Sequence, residues 1–138
     1  MEERLELLER VPLFAEVPRE VLAKIAEIAE ESDVPAESAL THEGRHEGYF
    51  FIVVSGSVRI ERGGRLINTL GPGEFFGSIA LLDGGPRTAT ATSETPCRLL
   101  SITTEQFHQL LDASPTVRRA ILEAAGRNLR AIDEEAVT

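Results

Sequence analysis

Apolar and polar residues change their spacing twice along the chain. Near the N-terminus, Leu5, Leu7 and Leu8 make residues 2–10 amphipathic, and Pro12 ends this segment. Beyond Pro18, apolar residues recur at the spacing of one helix face, and they are Val21, Leu22, Ile25, Ala26, Ile28 and Ala29. This pattern predicts a second helix that ends near Ser32, because Pro35 cannot continue it.

The region from Asp33 to Ile102 has a residue pattern typical of short strands separated by glycines. The continuous apolar run 49–54 is typical of a strand that is buried on both faces or lies at a sheet junction. Residues 57–62 and 88–92 alternate, and Gly63-Gly64 followed by residues 65–70 predicts a hairpin. Closely spaced short strands with glycine turns are typical of a sandwich, jelly roll or barrel.

Helical spacing returns after residue 103. Thr104 is a candidate cap for a helix running to Leu111, and Ser114-Pro115 is a candidate start for the last helix. The apolar positions of that last helix are Val117, Ile121, Ala124, Ala125, Leu129 and Ile132. This stripe fits core packing, a lid or a dimer seam equally well.

Composition narrows the class of protein. A chain of 138 residues suits one domain, and its net charge of −9 argues against non-specific nucleic-acid binding. No apolar run is long enough for a membrane helix, and the charged N-terminus lacks the apolar segment of a secretory signal. We therefore expect a cytoplasmic protein with neither nucleic acid nor membrane as a direct partner.

Few residues suggest a metal or catalytic site. The single cysteine, Cys97, excludes an internal disulfide and a cysteine metal cluster, and its apolar surroundings predict a buried strand residue. His42 and His46 are four residues apart, which suits a helix face, whereas their region has strand and loop character. Glu74 and Asp83 have no acid–base partner nearby in the sequence. We expect no metal, no catalytic residue and no cofactor.

The segment 71–92 carries the candidate chemistry. Gly77 permits a close approach of the backbone to another group. A short helix beginning near Gly77 would present the free N–H groups of Ser78, Ile79 and Ala80 to an anion. Arg87 follows at the start of a strand, and an arginine fork matches a phosphate. The sequence therefore predicts a phosphate-sized pocket, although Arg87 could instead cap main-chain carbonyls at a turn, and Ser78 could simply cap the short helix.

Two neighbouring motifs carry a resemblance to a known family. Phe76-Gly-Ser-Ile-Ala-Leu-Leu82, followed by Pro86-Arg-Thr-Ala-Thr90, resembles the phosphate-binding cassette of the cyclic nucleotide-binding domain family, of the cyclic-AMP receptor protein type. Pro12-Leu-Phe14, His42-Glu-Gly44 and residues 49–56 resemble its entry segment and early strands. The resemblance implies a mainly β fold, an eight-stranded β-roll or jelly roll (a double-stranded β-helix) flanked by N-terminal and C-terminal helices.

The resemblance also implies boundaries within a single domain over 1–138. N-terminal helices occupy 1–32, the β-roll occupies 33–102 with its phosphate-binding cassette at 76–90, and C-terminal helices occupy 103–135.

Site residues follow from the same resemblance. Arg87 would hold a cyclic phosphate, helped by Gly77 and the N–H groups of Ile79 and Ala80, with Thr88 near the phosphate or base. The family usually has a ribose-binding glutamate where this chain has Ser78, and an acidic residue where it has Arg45. The possible lid residues at the last helix are Arg130, Ile132 and Asp133.

The expected function is a non-enzymatic regulatory domain that senses cyclic AMP, cyclic GMP or a related phosphate-bearing ligand. Its partner would be a second copy, through the C-terminal helix, or an effector protein. The replacement at Ser78 favours an alternative, in which the fold has lost its ligand and acts as an interaction or dimerisation module. A cupin-like metalloprotein shares jelly-roll topology, but the histidine pattern weighs against it.

Overall fold

The computed structural model describes residues 2–10, 14, 18–46, 48–77, 86–87, 89–116, 118–119 and 122–123. Within these ranges the helices are α1 (Glu2–Glu9), α2 (Arg19–Ile28) and α3 (Thr104–Ala113). The strands are β1 (Glu30–Val34), β2 (Ala39–Thr41), β3 (Tyr49–Ser55), β4 (Val58–Arg62), β5 (Arg65–Leu70), β6 (Phe75–Phe76), β7 (Thr90–Ser93) and β8 (Cys97–Thr103). The backbone is also helical at 115–116, 118–119 and 122–123.

The strands form two four-stranded antiparallel sheets. The first has the order β1-β8-β3-β6 and the second the order β2-β7-β4-β5. Consecutive strands repeatedly alternate between the sheets, so each sheet is assembled from distant parts of the chain. This arrangement confirms the predicted eight-stranded, mainly β architecture.

Strand β3 has apolar neighbours on both of its faces, as its continuous apolar run predicted. Phe50 and Ile52 belong to a core shared with α1 and α2, whereas Val53 belongs to the core between the two sheets. All three side chains are buried, and burying such a side chain completely contributes about 1.5–3 kcal/mol. The strand is therefore held from two sides, which fixes the position of its first residue, Tyr49.

The hairpin between β4 and β5 has the predicted two-residue turn. Gly63 and Gly64 have φ angles of 61° and 78°, and Arg62 pairs with Arg65 across the turn. Two successive positive φ angles belong to the turn type whose twist matches that of the flanking strands. Glycine adopts them without the strain that a side chain would bring.

Two predicted boundaries were wrong. Helix α2 ends at Ile28, and residues 30–34 form β1, which pairs with β8. Most of β1 is polar and exposed, so its sequence resembles the tail of an amphipathic helix, and it becomes a strand through its distant partner. The cap of α3 is Thr103, whose hydroxyl accepts from the amide of Gln106 while the Gln106 side chain accepts from the Thr103 amide.

Other boundaries agree closely with the strand and helix patterns. Cys97 is buried at the start of β8, as predicted. The amide of Arg118 donates to the carbonyl of Ser114 at 3.0 Å, so a helical turn begins at the predicted Ser114-Pro115 step. No helix in the described ranges is both long and apolar enough to cross a bilayer.

Candidate functional site

The main chain of Arg87 is fixed by the turn of residues 42–45, which we call the anchor turn. Its amide donates to the carbonyl of Arg45 at 2.8 Å, and its carbonyl accepts from the amide of Gly44 at 2.9 Å. Two residues of the anchor turn thus oppose Arg87, with a left-handed glycine (φ 83°) in first place. This is the pattern of a glycine β-bulge, and it places Arg87 in one backbone position. Arg87 was expected at the start of a strand, but β7 begins three residues later, at Thr90.

The anchor turn itself is closed by a hydrogen bond. The amide of Arg45 donates to the carbonyl of His42 at 3.1 Å. With Gly44 at the third position and a positive φ, the turn has the geometry of type II, which needs glycine there. The glycine of the His42-Glu-Gly44 motif therefore serves the backbone geometry that holds Arg87.

The Arg87 side chain is buried between the start of β3 and the end of β6, with 4% of its surface exposed. Its Nη1 donates to the carbonyl of Gly77 at 3.1 Å, and its Nη2 donates to the carbonyl of Tyr49. Strands β3 and β6 pair antiparallel at Phe51–Phe76, so these two carbonyls lie where that short ladder ends. The arginine fork therefore joins the two strands beyond their last paired residues.

Gly77 leaves room for this arginine. Its φ is 97°, a conformation that side-chain-bearing residues rarely adopt, and a β-carbon there would collide with the Arg87 guanidinium. The same β-carbon would lie 2.8 Å from the carbonyl oxygen of Tyr49. The sequence indicated a close approach at Gly77, and the approaching group is Arg87.

The segment after Arg87 is bound to β2 by side-chain hydroxyls. Thr41, which is buried, donates from Oγ1 to the carbonyl of Ala89 at 3.3 Å and accepts from the amide of Ala91 at 3.1 Å. Thr90 accepts from the amide of Glu43 at 3.0 Å. These bonds extend the β2–β7 pairing towards Arg87 and hold the end of the cassette against the second sheet.

An aromatic row begins at the same place. The ring of Tyr49 lies 6.0 Å from that of Phe51, and the ring of Phe51 stacks on Phe76 at 4.9 Å. Tyr49 is 45% exposed, whereas Phe76 is buried. The row therefore runs from the surface beside Arg87 into the core between the sheets.

Main-chain carbonyls accept from Arg87 and also from Arg4, whose Nη1 donates to the carbonyls of Ala26 and Ala29 at 2.7 and 2.9 Å. Other arginines pair with carboxylates. Arg98 forms an ion pair with Asp33 at 2.9 Å and Arg59 with Glu37 at 2.9 Å, and all of these side chains are at least partly exposed. The hydrogen bond from Arg98 lowers the pKa of Asp33, and that from Arg59 lowers the pKa of Glu37. Arg87 is buried and donates to main-chain carbonyls, which is the contact expected for an arginine that caps carbonyls.

Of the predicted ligand-binding residues, the structure brings Gly77 and Arg87 together. The remaining ones lie outside the described residues, and they are Ser78, Ile79, Ala80, Thr88, Arg130, Ile132 and Asp133. The short helix expected near Gly77 also falls there. In the described part of the chain, no group of three or more histidine, cysteine or carboxylate side chains is placed to hold a metal ion.

The sequence did not predict that Tyr49 and the anchor turn hold Arg87 in place. Both contacts are made through main-chain atoms of residues about 40 positions away in the sequence. The one sequence signal for these contacts was the glycine at position 44. It indicates a turn but does not indicate which distant segment the turn contacts.

Comparison with known proteins agrees with this geometry. Residues 31–114, more than half of the chain, match the family described as the cyclic nucleotide-binding domain. A cyclic nucleotide-gated potassium channel of Mesorhizobium japonicum is 35% identical over 88% of this chain and 35% of its own length. A CRP-like cAMP-activated global transcriptional regulator of Mycobacterium tuberculosis is 29% identical over 91% of this chain and 58% of its own length.

A solved structure extends the agreement to three dimensions. The catabolite activator protein of Thermus thermophilus superimposes with a TM-score of 0.80 at 31% identity, covering 91% of this chain and 61% of that one. The chain thus spans between about one third and three fifths of the length of these three proteins. With two four-stranded antiparallel sheets and a family match across most of the roll, the chain belongs to the cyclic nucleotide-binding domain family.

Proposed function

We propose that this chain is a regulatory domain that binds cyclic AMP, cyclic GMP or a related phosphate-bearing ligand at Arg87. Membership of a ligand-binding family supports the general role. The finer proposal rests on one observation, the placement of the Arg87 guanidinium directly against Gly77, the glycine of the motif that resembles a phosphate-binding cassette.

A ligand phosphate would compete for or share this guanidinium. An arginine fork carries five N–H donors, and hydrogen bonds to a charged acceptor are about twice as strong as those to a neutral carbonyl. The fixed backbone of Arg87 reduces the freedom that binding would remove. A phosphate that reaches the fork would therefore change how tightly Arg87 holds the ends of β3 and β6, which couples ligand occupancy to the roll.

The other predicted residues have their roles by resemblance to the family. The amides of Ile79 and Ala80 would donate to the phosphate beside Gly77, Thr88 would contact the phosphate or base, and Ser78 would stand at the ribose position. The lid would be formed by the last helix, with Arg130, Ile132 and Asp133 over the base.

The proposed function requires no catalysis, cofactor or metal, because binding alone can shift an equilibrium between two states. The output would pass to a second copy through the C-terminal helix or to an effector protein. A cytoplasmic location and the lack of direct nucleic-acid or membrane partners stay predictions, since relatives of this chain include a potassium channel and a transcriptional regulator.

Isothermal titration calorimetry with cyclic AMP, cyclic GMP and inorganic phosphate tests the proposal. Arg87→Ala should weaken cyclic-nucleotide binding by about 1.5–3 kcal/mol, the range for a hydrogen bond to a charged group. Arg65→Ala is the matched control, because it removes the same charge from an exposed hairpin position. The proposal fails if the wild-type chain binds none of the three probes, or if folded Arg87→Ala binds as tightly as wild type.

A second candidate function is a ligand-free interaction module. It is favoured by the carbonyl contacts of Arg87, which give the arginine a structural use that needs no phosphate. Light scattering after size exclusion separates the two candidates. An interaction module would form a dimer that no cyclic nucleotide alters, and it would give no heat in the titration.

A further inference from the structure

Glu43 makes contacts with two parts of the second sheet. Its Oε1 accepts from the amide of Gly63 at 2.8 Å, at the tip of the β4–β5 hairpin. Its own amide donates to Oγ1 of Thr90 at 3.0 Å, at the start of β7. Glu43 is exposed to solvent. Both hydrogen bonds nevertheless hold it in place as the second residue of the anchor turn.

The residues that follow Glu43 hold Arg87. The Gly44 amide donates to the Arg87 carbonyl, and the Arg45 carbonyl accepts from the Arg87 amide. The carboxylate of Glu43 thus links the hairpin tip to the turn whose backbone places Arg87. The path runs from Gly63 through Glu43 and Gly44 to Arg87, and each step is a hydrogen bond or a peptide bond.

We propose that Glu43 is a positioning residue of the anion site, which acts by fastening the anchor turn to the β4–β5 hairpin. The proposal rests on the proposed function, since it assigns Glu43 to the same phosphate-binding arginine. It adds a carboxylate that improves the binding of an anion, through the geometry of Arg87 and without contact with the ligand.

Electrostatics alone predicts the opposite sign. The Glu43 carboxylate, on the residue next to Gly44, repels a phosphate bound at Arg87, so its removal should tighten anion binding. A positioning role predicts weaker binding when the hydrogen bond to Gly63 is lost. The two effects separate because glutamine removes the charge and keeps a carbonyl oxygen that can accept from Gly63.

The experiment compares Glu43→Ala, Glu43→Gln and a matched control, Glu74→Ala. The Glu74 carboxylate also accepts from a glycine amide, that of Gly71 at 2.9 Å, but this contact lies within its own turn. Affinities for cyclic AMP and cyclic GMP are measured by calorimetry at a temperature where urea unfolding shows every variant to be folded. Hydrogen exchange of the Gly44 and Arg87 amides is followed without ligand.

Glu43→Ala should weaken binding by about 3- to 10-fold, the loss of one ordinary hydrogen bond. Glu43→Gln should stay close to wild type, and Glu74→Ala should leave affinity unchanged. The Gly44 and Arg87 amides should exchange faster in Glu43→Ala alone. Unchanged or tighter binding by Glu43→Ala, or equal weakening by Glu43→Gln, would overturn the positioning role.

Failure of the proposed function gives a different result. If the wild-type chain binds no cyclic nucleotide, the proposal of a sensor falls. The anchoring by Glu43 is then judged by exchange alone, and it falls as well if the Gly44 and Arg87 amides exchange at the wild-type rate in Glu43→Ala.

Discussion

The guanidinium of Arg87 occupies the space that a β-carbon on Gly77 would need. The two residues are ten positions apart, near the two ends of the cassette, and the guanidinium donates to the Gly77 carbonyl. The absence of a side chain at position 77 therefore decides where the arginine can lie. This relationship connects Gly77 of the cassette directly to Arg87, the residue proposed to bind the phosphate.

Gly77→Ala should lower stability and weaken cyclic-nucleotide binding together. The left-handed conformation alone costs an alanine about 1–2 kcal/mol, and displacement of Arg87 adds to it. Gly64→Ala is the control, because Gly64 also has a positive φ of 78° but has open space around it. Urea unfolding and calorimetry measure the two effects. Equal destabilisation by both variants, with unchanged binding, would show that Arg87 moves aside without consequence.

Arg87→Ala should also destabilise the unliganded fold. It removes the hydrogen bonds that the buried guanidinium donates to the carbonyls of Tyr49 and Gly77, and a hydrogen bond that involves a charged group contributes about 1.5–3 kcal/mol. The midpoint of urea unfolding should fall accordingly, whereas Arg65→Ala should stay within about 0.5 kcal/mol of wild type, as exposed substitutions do. A wild-type midpoint for Arg87→Ala would mean that water replaces the guanidinium at both carbonyls.

The ion pair between Arg98 and Asp33 should make a small contribution to stability that disappears in acid. The hydrogen bond from Arg98 lowers the pKa of Asp33 from its ordinary value of 3.8. The contribution is therefore complete above that value and is lost as the pH falls through the lower pKa of the folded state. Arg98→Gln should unfold at lower temperature than wild type at pH 7, and the difference should shrink to zero in strong acid.

The variant Arg65→Gln is the control for this dependence of stability on pH. Arg65→Gln removes an arginine of the same charge from an exposed strand end, and the difference between its unfolding temperature and that of wild type should not follow the titration of Asp33. If the difference for Arg98→Gln is the same at pH 7 and below pH 3, the ion pair does not contribute through the ionised carboxylate.

The fold could be predicted from the sequence wherever a local pattern decides the structure. Gly63-Gly64 between two strand-like segments favours a tight hairpin turn, and the apolar run 49–54 favours a buried strand. Residues 30–34 carry no such pattern. They become β1 because β8, which is about 65 residues away, offers them an open edge.

Some residues of the candidate site could likewise be predicted from the sequence, and others could not. The residue types of the cassette indicated Gly77 and Arg87 as candidates, because an arginine fork and a closely approaching backbone suit a phosphate. The carbonyl of Tyr49, the bulge at Gly44 and the bond from Glu43 to the hairpin could not be found from the sequence. Main-chain acceptors carry no residue signature, and the pairing of distant turns depends on the closed roll.

Ser78→Glu should improve cyclic-nucleotide binding, because the resemblance places residue 78 at the ribose. A carboxylate that accepts from the ribose 2′-hydroxyl contributes about 1.5–3 kcal/mol, against about 0.5–1.5 kcal/mol for a serine hydroxyl. Repulsion between the new charge and the phosphate offsets about 1 kcal/mol of the carboxylate's advantage in a partly solvated site. The remaining gain lies below the roughly 5- to 30-fold that the hydrogen bond alone would give. Titrations with cyclic AMP, cyclic GMP and inorganic phosphate measure it, with Thr69→Glu, an exposed site, as the control for added charge. Affinity for inorganic phosphate should not rise, since it has no ribose, and unchanged or weaker cyclic-nucleotide binding would mean that residue 78 does not contact the ribose.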